Sequence, residues 1–160
     1  MRREVLEILE KDARASLKQI STMTGLSVKE VKDTIEQAEK DRIIISYKTV
    51  INWAKVGDER VQALIEVKIQ PEKDVGFDAI AERIYRFPEV RAVYLVSGAY
   101  DLAVFVMAKT EHDVAGFVSE KLASLDSVQG TVTHFFLKPY KEDGEILEGG
   151  EKVRRQPLTL

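Results

Sequence analysis

The sequence predicts an α+β protein, with an N-terminal winged helix-turn-helix followed by a C-terminal ferredoxin-like βαββαβ domain. Three observations lead there. Apolar residues recur at helical spacing in three successive stretches before residue 41. Residues 52–59 (NWAKVGDE) then break every periodicity. Beyond them, alternating and helical patterns succeed one another as strand, helix, strand, strand, helix, strand, the split βαβ order. These breaks predict a head over 1–51, a linker over 52–59, a second domain over 60–142 and a tail over 143–160.

In the head, Val5, Ile8 and Leu9 share one face of a first helix over residues 2–12. Ser16 is placed to cap a second helix whose buried side is Leu17, Ile20 and Met23. Thr24-Gly25-Leu26-Ser27 follows, with Gly25 suited to the positive φ of a tight turn. Ser27 and Glu30 have capping-box spacing at the start of a third helix, Val28–Lys40, which buries Val31, Ile35 and Ala38. Two helices joined by a short glycine turn form a helix-turn-helix, whose second helix can enter the major groove of duplex DNA. Residues 42–51 are β-rich, and a hairpin near Ser46-Tyr47-Lys48 would be the wing.

In the second domain, Val61, Ala63, Ile65, Val67 and Ile69 alternate with Gln62, Leu64, Glu66, Lys68 and Gln70, a half-buried strand that Pro71 ends. Asp74 is placed to cap a helix running to about Phe87, with Phe77, Ile80, Ala81, Ile84 and Tyr85 along one side; Pro88 stops it. Residues 90–97 and 102–109 are two strands around the turn sequence Gly98-Ala99-Tyr100-Asp101. Thr110 caps a helix over 111–125 that carries Val114, Phe117, Val118, Leu122 and Leu125. The last strand spans 128–138. Leu64 lies opposite Ala63, Ile65 and Val67, and Phe135 and Leu137 oppose Val132 and Phe136, so both sheet faces carry apolar residues, which predicts a self-associating sheet.

Composition narrows the function classes. The absence of cysteine among 160 residues excludes disulfides, cysteine-ligated zinc and thiol catalysis. No window has the roughly 18 apolar residues of a membrane span, and the N-terminus lacks the apolar core of a secretory signal, so a cytoplasmic protein without a membrane partner is expected. The net charge is −3, yet residues 1–52 carry ten Lys/Arg against nine Asp/Glu, so the basic excess is in the head. No nucleophile elbow, P-loop or dinucleotide loop is present, and two histidines give no metal-ligand spacing. Neither an enzyme, nor a metal, nor a cofactor is expected.

Four passages in this order resemble the Lrp/AsnC (feast/famine) transcriptional regulators. Gly25-Leu26-Ser27 followed by Val31 resembles the family's turn and recognition-helix start. Ile43-Ile44-Ile45-Ser46-Tyr47 resembles its passage into the wing, Pro88-Glu89-Val90 its "xPEV" segment, and Val96-Ser97-Gly98-Ala99-Tyr100-Asp101 its "TGxYD" hairpin. The resemblance covers roughly residues 2–142. It implies an operator-binding homodimer, often assembled into a higher oligomer, with an amino acid or similar effector bound between dimers. The implied effector contacts are Gly98, Ala99, Tyr100 and Asp101, with Thr131, Thr133 and His134 beside them. Asp101 would pair with an ammonium group, and the backbone N–H groups of residues 98–100 with a carboxylate.

The DNA-contacting candidates are Lys18, Ser27, Lys29, Lys32, Arg42 and Lys48. The recognition helix departs from the family: Thr34 stands where arginine is usual, and Lys29, Lys32 and Lys40 face Glu30, Asp33, Glu36 and Glu39. Carboxylates repel phosphate, although they accept hydrogen bonds from cytosine N4. A head that has lost strong DNA affinity and binds protein instead is the alternative reading.

Overall fold

The structure, a computed structural model, describes residues 2–58, 60–70 and 76–147. Pro71, Asp74 and the tail beyond Leu147, with Arg154, Arg155, Pro157, Leu158 and Leu160, lie outside the described residues. The chain divides into two compact units, 1–51 and 52–160.

The first unit holds α1 (Arg3–Lys11), α2 (Leu17–Thr24) and α3 (Val28–Lys40). Val5, Leu9, Ile20 and Val31 form its core, with Ile8, Leu17, Leu26, Ile35 and Ile44 around them. Ser16 and Ser27 each complete a capping box, with Gln19 and Glu30, so both helices of the motif begin where the hydroxyls satisfy unpaired N–H groups. Gly25 ends α2 at φ +72°, in the left-handed region that an L side chain resists. Met23, expected on the buried side, is 67% exposed, because Ile20 and Leu17 already fill the face toward α1 and α3.

The wing hairpin expected near Ser46-Tyr47-Lys48 does not form: residues 45–52 have no regular secondary structure and no ladder. The reason is physical. A two-residue hairpin turn needs positive φ, which glycine or asparagine supply and this segment does not contain. A lone two-stranded ribbon is also marginal in water. The segment is anchored instead to α3. Ala38 O accepts from the N–H of both Ile43 and Ile44, at 2.8 and 3.1 Å, and the Tyr47 hydroxyl donates to Glu39 at 2.8 Å. Ile43, Ile45 and Tyr47 remain exposed.

The second unit opens with a 3-10 turn, Trp53–Val56, and then runs β1 (Val61–Ile69), α4 (Phe77–Tyr85), β2 (Val90–Leu95), β3 (Leu102–Ala108), α5 (Glu111–Gly116) and β4 (Val128–Phe135). The strand order is β2-β3-β1-β4 with every pairing antiparallel, the ferredoxin-like arrangement. Ala63, Ile65, Val67 and Ile69 pack with Ile80, Ile84, Val114, Phe117 and Leu122 beneath the helices. Tyr85, expected on the packed side of α4, is exposed.

The helix expected over 111–125 is α-helical only to Gly116, and Phe117–Leu122 is π-helical. The Ala123 N–H accordingly reaches back five residues to Val118 O. Five residues separate Phe117 from Leu122. An α-helix would rotate the second well away from the first, whereas the wider turn keeps both on the sheet. The final strand stops at Phe135, short of the expected 138. Residues assigned to a plain tail from 143 include part of a small hairpin, β5 (Lys141–Glu142) with β6 (Glu145–Ile146). Asn52 Nδ2 donates to Leu147 O at 2.9 Å, fastening that hairpin to the start of the unit.

Candidate functional site

Helix α3 is amphipathic, with Val31 and Ala38 fully buried. The 3.6-residue period therefore places Lys29, Asp33, Glu36 and Lys40 on the opposite, solvent-facing side. Most polar groups of the helix already have partners. Ser27 Oγ accepts from the Glu30 N–H at 3.2 Å and donates to Glu30 Oε2 at 2.9 Å. Arg2 binds the other Glu30 oxygen at 3.2 Å. The Ser27 contacts hold the Glu30 carboxyl below the usual range, helped by Arg2 and opposed by desolvation. Lys32 pairs with Glu36 at 3.5 Å, Thr34 Oγ1 donates to Glu30 O at 2.8 Å, and Gln37 Nε2 donates to Asp41 Oδ2 at 2.8 Å. Glu39 accepts from Tyr47, whose hydroxyl is pushed up to about 12 by burial and by that hydrogen bond.

All six DNA-contacting candidates are exposed and all belong to the first unit. They differ in availability. Ser27 is occupied as a helix cap and Lys32 is in an ion pair. The side chains of Lys18, Lys29, Arg42 and Lys48 make no ion pair among the described residues. Arg42 adopts φ +55°, which turns the chain sharply out of α3.

In the second unit, residues 96–101 join β2 to β3. Gly98 has φ +152°, in the mirror-β region open to glycine alone, and a Cβ there would meet no atom within 4 Å. The glycine thus serves backbone conformation, not close packing. The Asp101 N–H donates to Val67 O, and Val96 N–H donates to Asp101 O. No hydrogen bond among the described residues engages the N–H groups of Gly98, Ala99 or Tyr100.

The Asp101 carboxylate faces inward on its own chain. Oδ2 accepts from the Ile69 N–H at 2.8 Å and lies 3.3 Å from Lys68 Nζ. These contacts, the backbone bond foremost, hold its carboxyl below the usual range against a smaller desolvation effect. The Ile69 N–H is open to Asp101 because it faces the β3 side of β1, where the pairing with β3 ends at Val67 opposite Leu102. Lys68 and the Ile69 amide were not among the candidates; the exposed phase of β1 marked Lys68 only as solvent-facing.

Register separates the β4 candidates. Thr131 and Thr133 lie opposite Val67 and Ile65, on the helix side of the sheet. His134 lies opposite Leu64, on the open side, with Nε2 3.1 Å from Glu66 Oε1. The three therefore do not form one cluster. On that same open side Phe105 packs edge-on against Tyr94 at 5.8 Å and meets Phe136 at 6.2 Å. Tyr94, Phe136 and Val132 leave apolar surface exposed there.

Residues 1–45 match the family described as winged helix-turn-helix DNA-binding, and residues 62–146 match the Lrp/AsnC ligand binding domain. The chain is 52% identical over 153 residues to the HTH-type transcriptional regulator YugG of Bacillus subtilis, covering 95% of this chain and 92% of that protein. A transcriptional regulator from Neisseria meningitidis in complex with L-methionine shares the fold at TM-score 0.71 and 24% identity, over 87% of this chain and 89% of that one. A feast or famine regulatory protein from M. tuberculosis, complexed with L-methionine, does so at TM-score 0.72 and 22% identity, over 91% and 95%.

Proposed function

The chain belongs to the Lrp/AsnC family of transcriptional regulators, and on that premise we propose that it binds operator DNA through α3 as a dimer and changes affinity when an amino acid binds its second unit. The observation that carries the DNA half is the first unit itself. Two capped helices meet at Gly25, and four exposed cations without ion pairs among the described residues, Lys18, Lys29, Arg42 and Lys48, are available to phosphate. Two of the four acidic side chains that weaken α3 as a DNA surface are neutralised in place: Glu30 by Arg2, Glu36 by Lys32. That favours DNA over a protein-binding head.

The effector half rests on the 96–101 turn. Its unused N–H groups at 98–100 suit an amino acid's carboxylate. Asp101 acts there as a positioning residue, since its carboxylate is taken by Ile69 and Lys68. Thr131, Thr133 and His134 are secondary candidates, with His134 on the face that a second copy would cover. The open apolar sheet face supports a homodimer with the two sheets packed together, and a higher oligomer of dimers beyond it.

Two measurements test this reading. Electrophoretic binding to a duplex carrying the protein's own promoter should weaken steeply with salt. A thermal-shift screen of the twenty amino acids should raise Tm for the effector, because a ligand stabilises the state that binds it. No duplex binding at low salt, with every amino acid present in turn, defeats the proposal.

A further inference from the structure

We infer that Asp33 is a specificity-determining residue that reads cytosine in a C·G base pair of the operator, with Lys29 one turn before it on the guanine. The inference rests on the DNA-binding reading above and deepens it by naming the base pair recognised.

Glu30, Glu36 and Glu39 are engaged by Arg2, Lys32 and Tyr47, Gln37 by Asp41, and Thr34 by its own helix backbone. Asp33 and Lys29 have no hydrogen-bond or ion-pair partner among the described residues. They do not pair with each other, although the four-residue spacing sets them side by side. Both project from the face opposite Val31 and Ala38, and both lie in the N-terminal half of α3, the part of a recognition helix that reaches base edges. Asp33 also borders an open depression lined by Arg2, Glu30, Thr34 and Gln37, so its carboxylate is not covered by its own head.

An acceptor and a cation held side by side match one base pair in the major groove. Cytosine presents its N4 amine as a donor, and the paired guanine presents O6 and N7 as acceptors. Thymine presents O4, an acceptor that a carboxylate repels, and adenine's N6 donor with N7 beside it is the combination that an Asn or Gln amide reads. Placing a free carboxylate on a DNA-facing helix costs affinity for phosphate everywhere. Only a specific donor offsets that cost, and cytosine N4 provides it at defined positions.

The test uses the full-length protein and Asp33→Ala, a change at an exposed side chain without partners. Each is put through selection from a random duplex pool at low salt, followed by binding titrations on the selected site and on single-pair variants. Wild type should fix a C·G pair at one position in each half-site and discriminate against the other pairs there by about tenfold or more. Asp33→Ala should lose that discrimination to within about twofold while binding unrelated duplex at least as tightly as wild type. If wild type selects a site and Asp33→Ala keeps the same preference at every position, the inference is overturned while DNA recognition stands. If wild type enriches no sequence, both fall.

Discussion

Asp101, which the family resemblance implies as an effector contact, has partners within its own chain. Its carboxylate joins the β2–β3 turn to the end of β1 through the Ile69 N–H and Lys68. A carboxyl whose pKa is lowered by folding stabilises the fold above its ordinary range, and that contribution is lost as pH falls through the lowered value. Asp101→Asn keeps an acceptor for Ile69 but removes the charge facing Lys68. Its Tm should lie below wild type at neutral pH, and the two should converge in acid below the aspartate range. A constant gap throughout the acid limb would show that the charge does not contribute. A sequence can mark Asp101 as a turn residue, but the amide that claims it is free only because β1 runs on past the start of β3.

Among the elements, α3 was readable almost completely, and the segment after it was not. The third helix has the expected bounds because its start depends on Ser27 and Glu30, three residues apart, and its packing on Val31 and Ala38 at helical spacing. Removing the cap with Ser27→Ala should cost about 1 kcal/mol of local stability. Hydrogen exchange should show faster exchange at the first turn of α3, with the sheet amides of the second unit unchanged; equal protection in the variant would mean the hydroxyl is dispensable. Residues 42–51 have strand composition but no strand partner within the first unit. β propensity expresses packing against neighbours, so composition alone could not decide the pairing. Likewise, periodicity placed Phe117 and Leu122 on one helix without revealing that a π turn aligns them.

For the whole molecule, the consequential feature is the uncovered sheet face. Helices α4 and α5 cover one side, and Tyr94, Phe105, Phe136 and Val132 populate the other. A second copy packed there would remove this surface from water, at roughly 25 cal/mol per Å² of apolar area. The double substitution Tyr94→Glu and Val132→Glu places carboxylates on that face at two positions that are exposed in the single chain. Sedimentation should show a shift from dimer or larger species to monomer, with DNA affinity falling as the paired heads separate. An unchanged mass in solution would place the association surface elsewhere.

The sequence by itself determined the order of the three N-terminal helices and of the βαββαβ elements, the Ser16, Ser27 and Thr110 caps and most of the apolar residues from which both cores are built. These depend on spacing along the chain, where each residue's neighbours are fixed by covalent geometry. Tertiary structure alone decided which groups remain free to act. It assigned Thr131 and Thr133 to one face and His134 to the other, because strand register sets the face. It occupied Asp101 with Ile69 and Lys68, and among the described residues it left Asp33 and Lys29 without partners. Availability for a ligand or a base is a property of three-dimensional neighbours, and residues distant in sequence supply many of them.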